Sequence, residues 1–519
     1  MAKHLTPLGR NLIIGIVVLV IGGFLYFASQ KMMGSDKKDG TSQSSKNLFS
    51  GLFSSSKSGD YDATLIVNTY CGFEPIVWGN GGLQGKEGSY FDKKFGLKLK
   101  IIIMDDFEAC RAAFKNGDAQ IAYCTLDAFP TETSAAGDMT DARYFMLLNF
   151  SNGADAIVVN NTIKTVADLK GKSIAFSEGT AAHTLLLNTL ETNGLNQSDI
   201  KFVKVLSGTE AASAFKAKQV DAAVVWAPDD EDCLAAIPGS KVLTSTKQAN
   251  NLISDGLIAK KEWLDENKEF SKNIVTAILW ANSEVKYQDY AYKEGAKAFA
   301  DAFGMGEDFA LISSKKVNYA TLADNANYFG FNPEYTGMNA DQLYTRMSRL
   351  YSGIGLCKAP LAWAKVSYPS IIEELLENNT LDNEQGATKA KEFKAPTKEL
   401  ETKQAISDKK VVIEFPVNGY ALDNEARNII DREFVDIAKQ FSGARVRVEG
   451  NTDNTGNADY NVSLSKKRAA AVVEYLVNVY GMDPNRFIVV GNGPKKAIQD
   501  GIRGDSREYR TTDFQLISE

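Results

Sequence analysis

The chain places an acid and a base where they can act as a pair. Val448-Glu449-Gly450-Asn451-Thr452-Asp453 reads as a strand that ends by delivering Asp453 into a loop. Asn461-Val462-Ser463-Leu464-Ser465-Lys466-Lys467-Arg468-Ala469 opens a helix and carries Arg468 in its first turns. A carboxylate and a guanidinium so placed clamp a small zwitterion, one end taking an ammonium and the other a carboxylate.

A second set of residues follows a series of apolar segments. Tyr70, Cys71 and Phe73 follow the first, Asp105 and Asp106 the second, Thr125 and Asp127 the third. Ser177-Glu178-Gly179-Thr180 follows another, and Trp226 and Asp229 close the last. In open α/β sheets ligands bind off the carboxyl ends of strands, where helix N-termini present free N–H groups. Tyr70, Phe73 and Trp226 would stack a flat or apolar ligand. The amides around Gly179, Thr180 and Ala181 suit an anionic group, and Asp106, Asp127 and Asp229 suit an amine or hydroxyls. Bland readings stand beside these. Ser177 and Thr180 fit a helix cap, Trp226 fits a core, and His183 fits packing beside Leu185–Leu187. Asp229-Asp230-Glu231-Asp232 fits a solvated turn. Gly79-Asn80-Gly81-Gly82 has the glycines of a phosphate loop but lacks its Lys-Ser/Thr pair.

The elements that must position these residues come from hydrophobic periodicity. Strands are expected at Thr64–Asn68, Leu97–Met104, Ala119–Tyr123, Ala156–Val159, Ser173–Phe176, Phe202–Val205 and Ala222–Trp226. Helices are expected at Phe107–Lys115, Ala181–Thr192 and Thr209–Lys216. This alternation implies parallel sheets with helices on both faces. After about Asn251 the pattern turns mostly helical, with Phe270–Tyr287 and Tyr292–Phe303 the clearest. Near the C-terminus, strands are expected at Lys410–Phe415, Ala444–Glu449, Phe487–Val490 and Thr512–Ser518, and helices at Asn424–Gln440 and Ser465–Val479.

Composition narrows the function. At 519 residues the chain exceeds one ordinary core. A net charge of −7 with no basic stripe argues against nucleic acid as a partner. The 2 histidines remove most His-based triads and His-rich metal sites, and no metal site or cofactor is expected. The 5 cysteines have no C-x-x-C spacing, and sequence leaves free thiols and disulfides equally open. Asn11–Phe27 is apolar and uncharged and, extended to Ser29, approaches the length of a membrane span. Lys3 and Arg10 before it favour a cytoplasmic N-terminus. A cleavable signal peptide is the rival, but only Ala28-Ser29-Gln30 follows the run. The span holds no acid, which argues against proton conduction.

Two resemblances follow from particular residues. Gly450, Thr452, Asp453, Asn461, Leu464, Ser465, Arg468, Ala469, Gly491 and Gly493 stand in the order of an OmpA-like peptidoglycan-binding domain, over about residues 410–519. Asn451 replaces that family's usual His, and Arg510 alone remains of its late N-R-R triplet. The resemblance implies that Asp453 and Arg468 hold the diaminopimelate of the stem peptide, with Thr452, Asn461, Leu464 and Arg510 as further site residues. The segments Gly88–Leu99, Lys115–Ala122, Val166–Ala175 and Lys218–Asp229 resemble a periplasmic solute-binding protein of the nitrate, sulfonate and pyrimidine-precursor group. That implies a two-lobed cleft lined by Tyr70, Phe73, Asp106, Thr125, Asp127, Ser177, Gly179, Thr180, Trp226 and Asp229.

The expected architecture is α/β. It has a cytoplasmic tail and transmembrane helix (1–33), a flexible linker (34–60), a two-lobed periplasmic-binding-protein fold (61–376), a charged linker (377–409) and an α/β OmpA-like domain (410–519). The expected function is a single-pass bacterial inner-membrane protein with its bulk in the periplasm. It binds a small polar solute and tethers to peptidoglycan, and a transporter or motor-like complex is a candidate partner. The alternatives are a solute sensor and a structural tether whose middle domain binds other proteins. An enzyme is disfavoured, because no nucleophile–base pair is evident.

Overall fold

The protein is described here from a computed structural model, over residues 61–134, 139–378, 381–411, 413, 415 and 419–518. The stretch Asn11–Phe27 and the segment 34–60 lie outside these residues. Among the described residues no helix is long and apolar enough to cross a membrane.

Two sheets build two lobes. The first holds β1 (Ala63–Val67), β2 (Leu99–Ile103), β3 (Ile121–Thr125) and β4 (Ala142–Ser151). The second holds β5 (Asp155–Val159), β6 (Ser173–Ser177), β7 (Lys201–Val205), β8 (Ala222–Trp226) and β9 (Lys241–Ser245). The chain then returns to the first sheet as β10 (Ser254–Lys260) and β11 (Val317–Tyr319). The strand orders are β11-β4-β10-β3-β1-β2 and β7-β6-β8-β5-β9. The chain thus passes between lobes twice, from β4 to β5 and from β9 to β10.

The sheets are mixed, which corrects the expectation of parallel ones. β10 runs antiparallel to β3 and β4, and β5 runs antiparallel to β8 and β9. The reason is the double crossing: each passage brings the chain back into a sheet against its direction. β4 and β10 carry no clean alternation, because almost every residue in them is buried. Strands covered on both faces lose the period-two signal.

A third sheet follows in the order β12-β15-β13-β14, from β12 (Ser407–Val411), β13 (Arg445–Asn451), β14 (Phe487–Gly493) and β15 (Thr512–Ile517). The helix Ala458–Tyr480 lies across β13 and β14. It starts earlier than Ser465 because Asn457 caps it, accepting from the Tyr460 N–H at 2.9 Å. Gly450 and Gly491 make the close approach possible. A Cβ on Gly450 would lie 2.1 Å from the Ser465 carbonyl oxygen, and one on Gly491 2.6 Å from that of Val462.

This third sheet is tied to the lobes. Asn250 Oδ1 accepts from Ser442 Oγ at 2.8 Å, and Asn251 Nδ2 donates to the Lys439 carbonyl at 3.1 Å. Ser407 Oγ donates to the Thr192 carbonyl at 2.7 Å. The charged stretch before it contributes buried Leu381 and Phe393, and Thr388 N–H donates to Asp324 Oδ1 at 2.7 Å. All 5 cysteines are buried free thiols.

Candidate functional site

The cleft between the lobes is assembled from strand ends. From the first lobe come Tyr70 after β1, Asp105 after β2 and Thr125 at the end of β3. From the second come Ser177 at the end of β6, Thr180 and Ala181 at the start of the helix Ala181–Glu191, and Trp226 at the end of β8. The antiparallel strands add two acids from their opposite ends. Asp155 opens β5 in register with Trp226, and Asp255 stands in β10 in register with Thr125. Phe107 and Tyr123 complete an aromatic wall. Behind that wall the Arg111 guanidinium lies 4.3 Å from the Phe107 ring centre and 5.3 Å from that of Tyr123. Arg111 is itself buried and paired with Glu132 at 2.5 Å. The cavity between the lobes measures about 40 Å³.

Burial dominates the electrostatics. It pushes the Asp155 carboxyl up to about 7, against the Ser151 hydroxyl, and Asp230 adds repulsion. It lifts Asp255 well above the usual carboxylate range, with Asp155 and Asp127 adding to the rise. The neighbouring Tyr70 hydroxyl, as a hydrogen-bond donor, opposes the rise in part. Yet Tyr70 Oη and Asp255 Oδ2 are both buried without a partner at hydrogen-bonding geometry among the described residues. Asp105 is held differently, accepting from the Thr69 N–H at 2.6 Å and the Thr69 hydroxyl at 2.8 Å.

The second site lies at the end of β13. Asp453 Oδ2 accepts from Arg510 Nη1 at 2.7 Å, and its Oδ1 accepts from the Thr455 N–H at 3.2 Å and from the Thr455 hydroxyl. Arg510 also pairs with Asp505. Although burial acts to raise it, the Asp453 carboxyl is held below its ordinary value by Thr455 and Arg510. Arg468 is buried, and its Nε donates to the Gly419 carbonyl at 3.0 Å. Burial lowers its pKa, with Arg510 lowering it further and Asp453 opposing. An acid and two guanidiniums therefore feel one another across one small region.

A model of the NMT1/THI5 like family matches residues 81–286, and a model of the OmpA family matches residues 414–511. The chain joins an NMT1/THI5-like domain to an OmpA domain. A binding protein of Brucella abortus is 31% identical over 133 residues, covering 25% of this chain and 41% of that protein. A peptidoglycan-associated lipoprotein of Pseudomonas putida is 34% identical over 87 residues, covering 17% of this chain and 51% of that protein. The chain thus spans less than two thirds of either relative. The nitrate-binding protein of Synechocystis PCC 6803 superposes with a TM-score of 0.51 at 13% identity, over 61% of this chain and 89% of that structure. That likeness is one of fold. Both resemblances drawn from the sequence are shown by these matches.

In the NMT1/THI5-like domain, Tyr70, Thr125, Ser177, Thr180 and Trp226 line the cleft. Others expected there stand elsewhere. Phe73 is fully buried behind the wall, edge-on to Tyr70 at 6.1 Å and to Tyr123 at 6.0 Å. Asp106 caps the helix Phe107–Asn116, accepting from the Ala109 N–H at 3.0 Å. It borders a neighbouring groove with Gly179. Asp127 lies wholly buried beneath the cleft. Asp229 accepts from the Thr209 hydroxyl at 2.9 Å at the start of its own helix. Strand-end reasoning placed these residues within one turn of the cleft but not their side chains in it. Thr180 sits at the helix N-cap but makes no side-chain cap, donating instead to the Ser177 carbonyl at 2.9 Å. His183 is a packing residue, accepting from the Gly179 N–H at 3.2 Å and tilted against the Phe176 ring at 4.9 Å. The residues that sequence reasoning missed are Asp155 and Asp255. Their signal was an acid set in an otherwise apolar strand.

In the OmpA domain, Asn461 Nδ2 donates to the Thr455 carbonyl at 2.7 Å and braces the loop. The Thr452 N–H donates to the Gly493 carbonyl at 2.9 Å. Leu464 is buried and packs rather than presenting a polar contact.

Proposed function

We propose that this chain is an envelope protein that binds a small polar solute between its lobes and grips peptidoglycan non-covalently through its OmpA domain. The carrying observation is the grouping of Asp453 with Arg468 and Arg510 in a chain that also holds a cleft lined with buried polar groups. Arg468 and Arg510 offer donors for a carboxylate of the diaminopimelate stem, and Asp453 offers an acceptor for its ammonium. Thr452, Asn461 and Leu464 shape the loop and helix around them. The cleft, with Tyr70, Thr125, Ser177, Thr180 and Trp226, takes the solute, and Phe73, Asp106, Asp127, Gly179 and Asp229 support its walls. Asn11–Phe27 anchors the chain as a single inner-membrane span, with residues 61–376 and 410–519 in the periplasm. The chain performs no covalent chemistry.

A sensing role is favoured over a passive tether by one further observation. The OmpA domain holds the interlobe segment through Asn250 and Asn251 and the second lobe through Thr192. Arg346 links Gln440 at 3.1 Å to Glu191 at 2.7 Å. Closure of the lobes by hinge motion would therefore move a surface that the OmpA domain touches.

Native mass spectrometry of the purified full chain tests the solute half of the reading. A bound small molecule that raises the melting temperature when added back is the expected result. A chain that carries no solute, and that no extract fraction stabilises, would leave the tether reading in its place.

A further inference from the structure

The cleft receives acids from both lobes. Three carboxyls line it: Asp105 and Asp255 from the first lobe and Asp155 from the second. Among the described residues no Lys, Arg or His lines it. The Arg111 guanidinium lies against the rings of Phe107 and Tyr123 and is paired with Glu132. Lys316 is likewise occupied, by Asp230 at 2.6 Å and Glu231 at 2.9 Å.

A cluster of acids can be merely structural, but here two buried groups await a partner. Asp255 and Tyr70 are each 5% exposed and are lining residues of the cavity, and Asp255 Oδ2 and Tyr70 Oη have no hydrogen-bond partner among the described residues. A buried polar atom left unpaired costs free energy, so a ligand that pairs with it is favoured. The aromatic faces of Tyr70, Tyr123, Phe107 and Trp226 add attraction for a cation. An anion would meet three carboxyls, with only the amides near Thr180 in its favour. The cavity of about 40 Å³ suits a small ligand.

We infer that the cleft selects a compact organic ammonium ion, its N–H groups taken by Asp155, Asp255 and Asp105. The inference rests on the solute-binding reading above. It carries a pH signature. Asp155 faces Ser151, Asp230 and Asp255, and Asp255 faces Asp155, Asp127 and Tyr70, so no base stabilises either carboxylate. The empty cleft therefore holds protons near neutrality, and a bound cation expels them. Affinity must rise with pH up to the point where the free acids ionise.

Isothermal titration calorimetry on the full chain tests this, with methylammonium and ethanolamine as cations, nitrate and methanesulfonate as anions, and acetamide as a neutral control. Saturable binding of a cation at pH 8, weakened at least tenfold at pH 5.5, is expected. Asp155→Asn should weaken it at least tenfold at pH 8. The pH series on the unaltered chain gives the same answer if that variant fails to fold. Tighter binding of an anion, equal binding of acetamide, or affinity that falls with rising pH would overturn the cation class and leave solute binding standing. No binding of any probe, together with no co-purified solute, would overturn both.

Discussion

Asn250 and Ser442 are hydrogen-bonded at 2.8 Å, which fastens the OmpA domain to the segment connecting the two lobes. The same Asn250 oxygen also accepts from the Gly443 N–H at 3.1 Å. Gly443 fits closely there, since a Cβ on it would lie 3.0 Å from the Lys247 carbonyl. Asn250→Ala removes bonds worth about 0.5–1.5 kcal/mol each. Hydrogen exchange should quicken at 245–254 and at 439–443 together. Exchange that changes on one side alone would show that the contact does not couple the two.

The packing of the helix Ala458–Tyr480 onto its sheet depends on bare backbone. Gly450→Ala places a methyl 2.1 Å from the Ser465 carbonyl oxygen. Overpacking of this kind costs about 1–3 kcal/mol. Thermal unfolding should shift down, and wall binding should weaken because Asp453 and Arg468 sit on the displaced elements. An unchanged melting temperature would contradict the close approach.

Acids buried in the lobes set a pH dependence of stability. Asp127 and Asp155 have carboxyls raised to about 7 by burial, whereas in an unfolded chain they titrate near 3.9. Between those values the folded state keeps protons that the unfolded state releases. Stability of the empty protein therefore falls as pH rises from about 4 to about 7, by up to about 1.4 kcal/mol per pH unit for each acid. The melting temperature should be lower at pH 7.5 than at pH 5.5, and Asp127→Asn should flatten the slope. A melting temperature that rises across this range would contradict the burial argument.

The buried pair of Arg111 and Glu132 supports the aromatic wall, and Arg111 Nη1 also donates to the Tyr123 carbonyl at 2.8 Å. Glu132→Ala leaves an uncompensated buried charge and should cost about 3–5 kcal/mol. Chemical denaturation of the full chain measures this. A loss under 1 kcal/mol would show that Arg111 finds another partner.

Much of this architecture was legible in residue patterns, and the failures have physical causes. β1, β2, β6 and β8 were found within a residue or two because short apolar runs between turn signals read as buried strands. β4 and β10 were missed because tyrosine, arginine and aspartate interrupt runs that are nonetheless buried. Asp255 was missed with β10, and Asp155 was missed at the head of an expected strand, since an acid at the start of an antiparallel strand breaks the rule that ligands gather at carboxyl ends. Asp453 and Arg468 were singled out by their place in the OmpA-like pattern. What spacing did not give is that Arg510 already occupies one oxygen of Asp453.

The central claim is that Asp453 and Arg468 hold the wall. Sedimentation of the full chain with purified diaminopimelate-containing sacculi tests it most directly. The unaltered chain should pellet with the wall, and Asp453→Ala and Arg468→Ala should each remain in the supernatant while keeping their fold by circular dichroism. Both variants pelleting as fully as the unaltered chain would contradict the account.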